Sequence, residues 1–193
     1  MEHGEHKTNH TTCNHLFWVD IETTSLEDDS QIMEIYMMVT DGELNELDSI
    51  ECVIHHDKKE LINKLSEWSL EHHSNLVDEC DASLLTLSGA EQQLIELVKK
   101  YSSTPSSLAV VAGSSVFYDK QIIKRCMPLL YRMLHHQVVD VSTVMLLAKR
   151  WKPKLKKIAP KKNETHRAKQ DVLSSLSLLR FYKSHFFTTS LIQ

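Results

Sequence analysis

The 193-residue sequence predicts an α/β fold: a mixed β-sheet, built from an antiparallel meander plus parallel strands, flanked by α-helices. Three observations carry this. Three apolar runs come first, joined by short polar connections. A long stretch of helical periodicity follows. A fourth apolar run, Leu108-Ala109-Val110-Val111-Ala112-Gly113, then appears between helical segments, as a strand buried on both faces does.

Residues 1–15 are polar and carry His3, His6, His10 and His15 at irregular spacing, so they read as a disordered, His-rich tail. Strands are expected over 16–22, from Ile32 to Thr40 and from Ile50 to His55, with turns at Ser25–Ser30 and Asp41-Gly42-Glu43. Residues 57–104 read as helical, with Ala90, Leu94, Leu97, Val98 and Tyr101 on one apolar face. The Ser- and Pro-containing stretch over 102–107 is a loop before the Leu108–Gly113 strand. A helix is expected from Tyr118 through Leu134, interrupted near Pro128, because proline removes a donor and clashes with the preceding turn. Val138-Val139 reads as a short strand and Ser142 to Trp151 as a helix. Thr165 is placed to cap a final helix through Tyr182, whose buried side draws on Val172, Leu173, Leu176, Leu179 and Phe181. The body over 16–187 reads as one domain, with a short tail over 188–193.

Hydrophobic residues make up 41% and charged residues 25% of the chain, the balance of a soluble globular protein. No apolar run approaches the roughly 20 residues of a membrane span. The N-terminal residues resemble neither a signal peptide nor a transit peptide, so the cytoplasm is the expected location, with mitochondria or nucleus left open. Cys13, Cys52, Cys80 and Cys126 form no closely spaced pair and read as reduced thiols. The net charge of −4 hides an asymmetry: Lys149 to Lys169 holds ten basic residues against the single acid Glu164. A basic stretch on an acidic body suits a polyanion held at one place, although a solvated loop is the commoner fate of a charge run.

Asp20 and Glu22 lie inside Leu16-Phe17-Trp18-Val19-Asp20-Ile21-Glu22, where strand propensity disfavours both. Two residues apart on a strand, they emerge on one face, and buried charge without compensation is expensive. With Asp119 just after the fourth strand and Asp171 on the last helix, they compose a four-carboxylate set if that helix crosses the first strand. Such a set calls for two divalent cations, and oxygen-only ligands select Mg²⁺ or Mn²⁺ over zinc. Two ions about 4 Å apart hydrolyse phosphodiesters by activating water and stabilising the leaving oxygen. His166, with an unperturbed pKa of about 6.5, suits the general base. Five positions from Asp171 is not a same-face helical spacing, which places His166 at or before the helix start. Taken singly, Asp119 is more often a helix-cap or surface acid and His166 an exposed loop histidine, and Asp171 has the alternative of a first-turn acid favoured by the helix dipole.

The chain resembles the oligoribonuclease family, within the DEDD-type 3′→5′ exonucleases that use a histidine in their last motif. The resemblance runs from about Phe17 to Phe186. It is carried by Trp18-Val19-Asp20-Ile21-Glu22-Thr23-Thr24-Ser25-Leu26, Glu34-Ile35, Val39-Thr40-Asp41, and Ala112-Gly113-Ser114-Ser115-Val116 leading into Asp119-Lys120. Met127-Pro128, Asp140-Val141-Ser142-Thr143, Lys149-Arg150-Trp151-Lys152-Pro153, Ala159-Pro160-Lys161-Lys162, His166-Arg167-Ala168 with Asp171, and Phe181-Tyr182 complete it in order. The resemblance implies a ribonuclease H-like fold, a homodimer, and release of 5′-mononucleotides from the 3′ ends of short single-stranded RNA. It carries Asp20, Glu22, Asp119, His166 and Asp171 across as the catalytic set, the four acids as metal ligands. It also implies substrate contacts: Leu26 as a wedge between bases, Trp68 and His73 against the substrate, and Ser115 and Ser142 on its 5′ phosphate.

One departure concerns substrate choice. Family members complete the phosphate cap with a Tyr-Arg pair from the partner subunit, and here those positions read His136-Gln137. Losing a charge-assisted bond of roughly 1.5–3 kcal/mol weakens capture of a 5′-phosphorylated dinucleotide. Two alternatives therefore stand beside the short-RNA reading: the same chemistry on longer RNA or single-stranded DNA, and a catalytically silent nucleic-acid-binding dimer.

Overall fold

The computed structural model describes residues 14–102, 108–161 and 166–187, with the Trp68 side chain outside that set. Most of the predicted N-terminal tail, nearly all of the 102–107 loop, the Thr165 cap, Cys13 and the C-terminal tail lie outside the described residues.

Five strands form one sheet in the order β3-β2-β1-β4-β5. β1 (Leu16–Thr23), β2 (Ile32–Thr40) and β3 (Glu46–Val53) are the antiparallel meander. β4 (Ala109–Gly113) runs parallel to β1, and β5 (Leu134–Asp140) parallel to β4. The expected mixed sheet is therefore observed. β3 starts four residues earlier than expected, because its face alternates exposed and half-buried residues and shows no apolar run until its end.

Between β3 and β4 lie α1 (Lys58–Ile62), α2 (Glu67–His72), α3 (Ser74–Ala82) and α4 (Leu87–Tyr101). Asp57, Ser66 and Thr86 break the predicted single helical stretch by capping α1, α2 and α4 with their side chains. α5 (Phe117–Cys126) and α6 (Pro128–Tyr131) follow β4. The break at Pro128 is where expected, but Leu134 begins β5 and does not end a helix. β5 is seven residues long, not two, because it is an outer strand whose exposed His136 and Gln137 carry no apolar signal. α7 (Val141–Trp151), α8 (Pro153–Ile158) and α9 (Ala168–His185) complete the chain. α8, six residues starting at a proline, had no periodicity to announce it.

Strand alternation divides the core. Phe17, Val19 and Ile21 of β1 pack with Leu94 and Val98 of α4 and Ile123 of α5. Trp18 faces the opposite layer with Tyr36, Met38, Val141, Ala168, Val172 and Leu176. Asp20 and Glu22 share Trp18's parity, so they point toward α9. On α9 the buried aromatic is Tyr182, whereas Phe181 is only partly buried.

Gly113 ends β4 beside its neighbour β1. A Cβ there would meet the Val19 carbonyl oxygen at 2.8 Å. Gly113→Ala is expected to cost about 1–3 kcal/mol, read from urea unfolding, since backbone has to move to relieve the overlap. An unchanged midpoint would contradict it.

Candidate active site

The two strand carboxylates meet the last helix as anticipated. Ligand oxygens of Asp20, Glu22 and Asp171 all lie within 4.8 Å of one another. Asp171 belongs to the buried stripe of α9 that includes Ala168, Val172 and Ser175, which presses its carboxylate against β1. Asp119 comes from the first turn of α5 and accepts the Ile21 N–H at 3.1 Å. That donor lies beyond the β1–β4 pairing, so Asp119 satisfies a strand group the ladder leaves open while lining the same cleft.

The cleft has a volume of about 550 Å³. Besides the four acids its wall includes Leu26, His73, Ser115 and Tyr118. Leu26 is 83% exposed on the loop after β1, and the Tyr118 hydroxyl donates to its carbonyl at 3.2 Å. His73 is buried, with Nε2 3.6 Å from Glu22 Oε2. Desolvation first, then the neighbouring His166 and His72, lowers its pKa.

His166 stands just before α9, as expected, and its φ of 46° is left-handed. Its ring packs edge-on against His72 at 5.1 Å and His73 at 6.2 Å, one ring removed from Glu22. It is not among the residues lining the cleft. Ser115 is also left-handed, at φ 56°. Non-glycine residues in this region are uncommon, and both fall at predicted site positions. The Asp140 carboxylate pins the Ser115 turn, accepting its N–H at 3.0 Å and that of Ser142 at 2.8 Å. The two serine hydroxyls consequently sit 3.2 Å apart.

His136 and Gln137 are exposed on β5 and do not line this cleft. Their strand is held by buried Lys120, whose ammonium donates to the carbonyls of His135 and His136. Trp68 lies on α2, its side chain outside the described residues.

Sequence reasoning assigned no role to Glu34 or Arg167. Glu34 is fully buried in β2 and accepts Arg167 Nη2 at 2.8 Å and the Ala168 N–H at 3.0 Å. Arg167 also reaches Glu79 at 2.8 Å through both terminal nitrogens. These bonds, those to Glu34 first, raise the Arg167 pKa and keep its guanidinium charged. Glu34 thus caps α9 from another strand and clamps the residue after His166. A signal existed: Glu34 is the lone acid of an otherwise apolar strand, the same oddity as Asp20.

The family model described as exonuclease (RNase_T) matches residues 17–179. The chain is 37% identical over 175 residues to the mitochondrial oligoribonucleases of Bos taurus and Homo sapiens, covering 89% of this chain and 73% of each relative. It is 40% identical over 174 residues to the oligoribonuclease of Mannheimia succiniciproducens, covering 89% and 92%. Among solved structures, the zinc-bound E. coli ExoI–ssDNA complex aligns with a TM-score of 0.71 at 13% identity, over 89% of this chain and 40% of that one. Exonuclease I from Methylocaldum szegediense aligns with a TM-score of 0.63 at 15% identity, over 90% and 41%. The chain spans about two fifths of those two structures, and the likeness shows a shared fold.

Proposed function

This chain belongs to the oligoribonuclease family of 3′→5′ exonucleases, and from that premise we propose that it releases 5′-mononucleotides from the 3′ ends of short oligoribonucleotides, using two divalent cations and a histidine base. The supporting observation is the convergence of Asp20, Glu22 and Asp171 within 4.8 Å, in a cleft that also takes in Asp119. An all-oxygen, partly buried donor set of this size fits Mg²⁺ or Mn²⁺. When bound, such cations supply an activated water and stabilise the leaving 3′ oxygen.

The chain's own residues do the rest. Asp20, Glu22, Asp119 and Asp171 would hold the cations. His166 takes the attacking water's proton, moving in from its place beside His72 and His73. Leu26 wedges against the terminal base, Trp68 stacks on it, and His73 fixes the Glu22 side of the cleft. The Ser115 and Ser142 hydroxyls donate to a substrate phosphate. Residues 16–187 form the exonuclease domain, and the active unit is a homodimer in which His136 and Gln137 face the partner's substrate. Among the described residues no helix is long and apolar enough to cross a membrane.

His136-Gln137 favours a second reading, in which the same chemistry extends to longer RNA or single-stranded DNA, because no arginine caps the substrate's 5′ phosphate. Digestion of 5′-labelled RNAs of two, five and twenty residues with Mn²⁺ or Mg²⁺ tests both. Stepwise loss of 3′ mononucleotides is expected. No release by the wild type, or undiminished release by Asp20→Ala, rejects the enzyme reading, and strong preference for the dinucleotide rejects the second.

A further inference from the structure

A second cavity, of about 990 Å³, opens from the catalytic cleft and shares Ser114 and Ser115 with it. Its volume is near the upper end of the 300–1,000 Å³ usual for ligand pockets. One wall is α9, through Ser174, Ser175, Leu178 and Tyr182. The other is the basic segment, through Lys149 of α7, Lys156 and Lys157 of α8, and Lys161. All four lysines are exposed, and none makes an ion pair among the described residues. Lys58, Lys99, Lys100, Lys169 and Lys183 each meet a carboxylate, whereas Lys59, Lys124 and Lys154, like the four of the cavity, meet none among the described residues. The cavity is where four such open charges gather on one wall.

Tyr182 supplies an independent sign. It is completely buried, it lines this cavity, and its hydroxyl has no hydrogen-bond partner among the described residues. A buried hydroxyl left so is unfavourable, so the fold leaves one polar group of this wall unsatisfied.

We propose that this lysine-lined cavity is a binding groove for the sugar–phosphate backbone of RNA lying 5′ to the nucleotide being removed. The proposal rests on the exonuclease reading for its direction. An exonuclease holds only the terminal residue on one side of the scissile phosphate, so a groove leading away from the carboxylates carries the remaining chain. Ser115 and Ser142, with hydroxyls 3.2 Å apart, mark the passage between the two cavities. The groove gives the open end left by Gln137 a function: substrates of four or five residues are held by phosphates that a dinucleotide does not have.

The test measures binding of a 5′-fluorescent pentanucleotide and a dinucleotide to the full chain by anisotropy, in chelator, across a salt series. Lys156→Gln with Lys157→Gln is expected to weaken pentanucleotide binding about tenfold and lower its log–log salt slope by about 1.4, leaving the dinucleotide within about twofold. Tyr182→Phe, which keeps the ring's packing, is expected to weaken the pentanucleotide alone. Lys99→Gln with Lys100→Gln, on the opposite face of the sheet, controls for general charge. No pentanucleotide binding by the wild type, equal losses for both lengths, or equal effects of the two lysine pairs would overturn the groove. Length-selective loss in a protein that releases no mononucleotide would keep the groove and reject the enzyme reading.

Discussion

Replacing Asp171 by asparagine is expected to lower mononucleotide release by at least about 10³-fold, as removal of one member of a catalytic unit does. The same change should stabilise the cation-free protein. Three carboxylates whose oxygens lie within 4.8 Å repel one another. At an effective dielectric of about 20, each charge pair at that distance costs on the order of 3 kcal/mol before solvent relaxation. Allowing for relaxation, about 1 kcal/mol of gain, or roughly 2–4 °C in Tm, is a reasonable expectation for a chain of this size. Cation binding works in the opposite sense. At about 100 times Kd, Mn²⁺ should stabilise the wild type by about 2.7 kcal/mol, and the Asp171→Asn protein much less. Melting curves in chelator and in Mn²⁺ separate these effects from activity. Equal stabilisation of both proteins by Mn²⁺ would remove Asp171 from the cation site.

Glu34→Ala should give the largest loss of stability, about 2–3 kcal/mol, because it leaves the first N–H of α9 without its buried acceptor and Arg167 with Glu79 alone of its two close partners. With a urea m-value of about 2 kcal/mol/M, the midpoint falls by roughly 1–1.5 M. The kinetic consequence is specific to position. His166 precedes the clamped arginine in a left-handed conformation, so a loosened clamp should lower kcat with little change in KM. His166→Ala provides the comparison: a loss of about 10²–10⁴ in rate, the usual range for a general base, with the urea midpoint nearly unmoved. A Glu34→Ala protein that unfolds earlier yet keeps its kcat at low temperature would make the clamp structural only.

The two kinds of carboxylate show why some of this was readable in advance. Asp20 and Glu22 declare themselves because they break an apolar alternation, and parity alone puts both on one face of β1. Asp171 can be recognised as the third member only if α9 crosses that face, a condition the structure meets through Ala168, Val172 and Leu176 packing on Trp18 and Tyr36. Glu34 breaks its strand just as visibly. Its task stayed hidden because the group it caps lies 134 residues away. Glu91 repeats the lesson: from α4 it accepts the N–H groups of Leu129 and Leu130 at 2.7 and 3.1 Å, capping α6 across the fold. The caps at Asp57, Ser66, Thr86 and Asp140 lie within three residues of the N–H groups they accept, so their signal is local even though 57–104 read as one helical stretch. Long-range caps are not.

Hydrophobic period and the ordered motif words were enough to determine the mixed sheet and the family, and the cost of burying charge singled out Asp20 and Glu22 as candidates. Those features are local or repeat along the chain, and each residue carries its own share of the signal. Tertiary packing decided which groups meet: Glu34 with α9, His166 with two other histidines, and four lysines around a cavity that joins the catalytic cleft. No periodicity encodes such meetings, because their energy comes from desolvation and charge between residues that only the folded chain brings together.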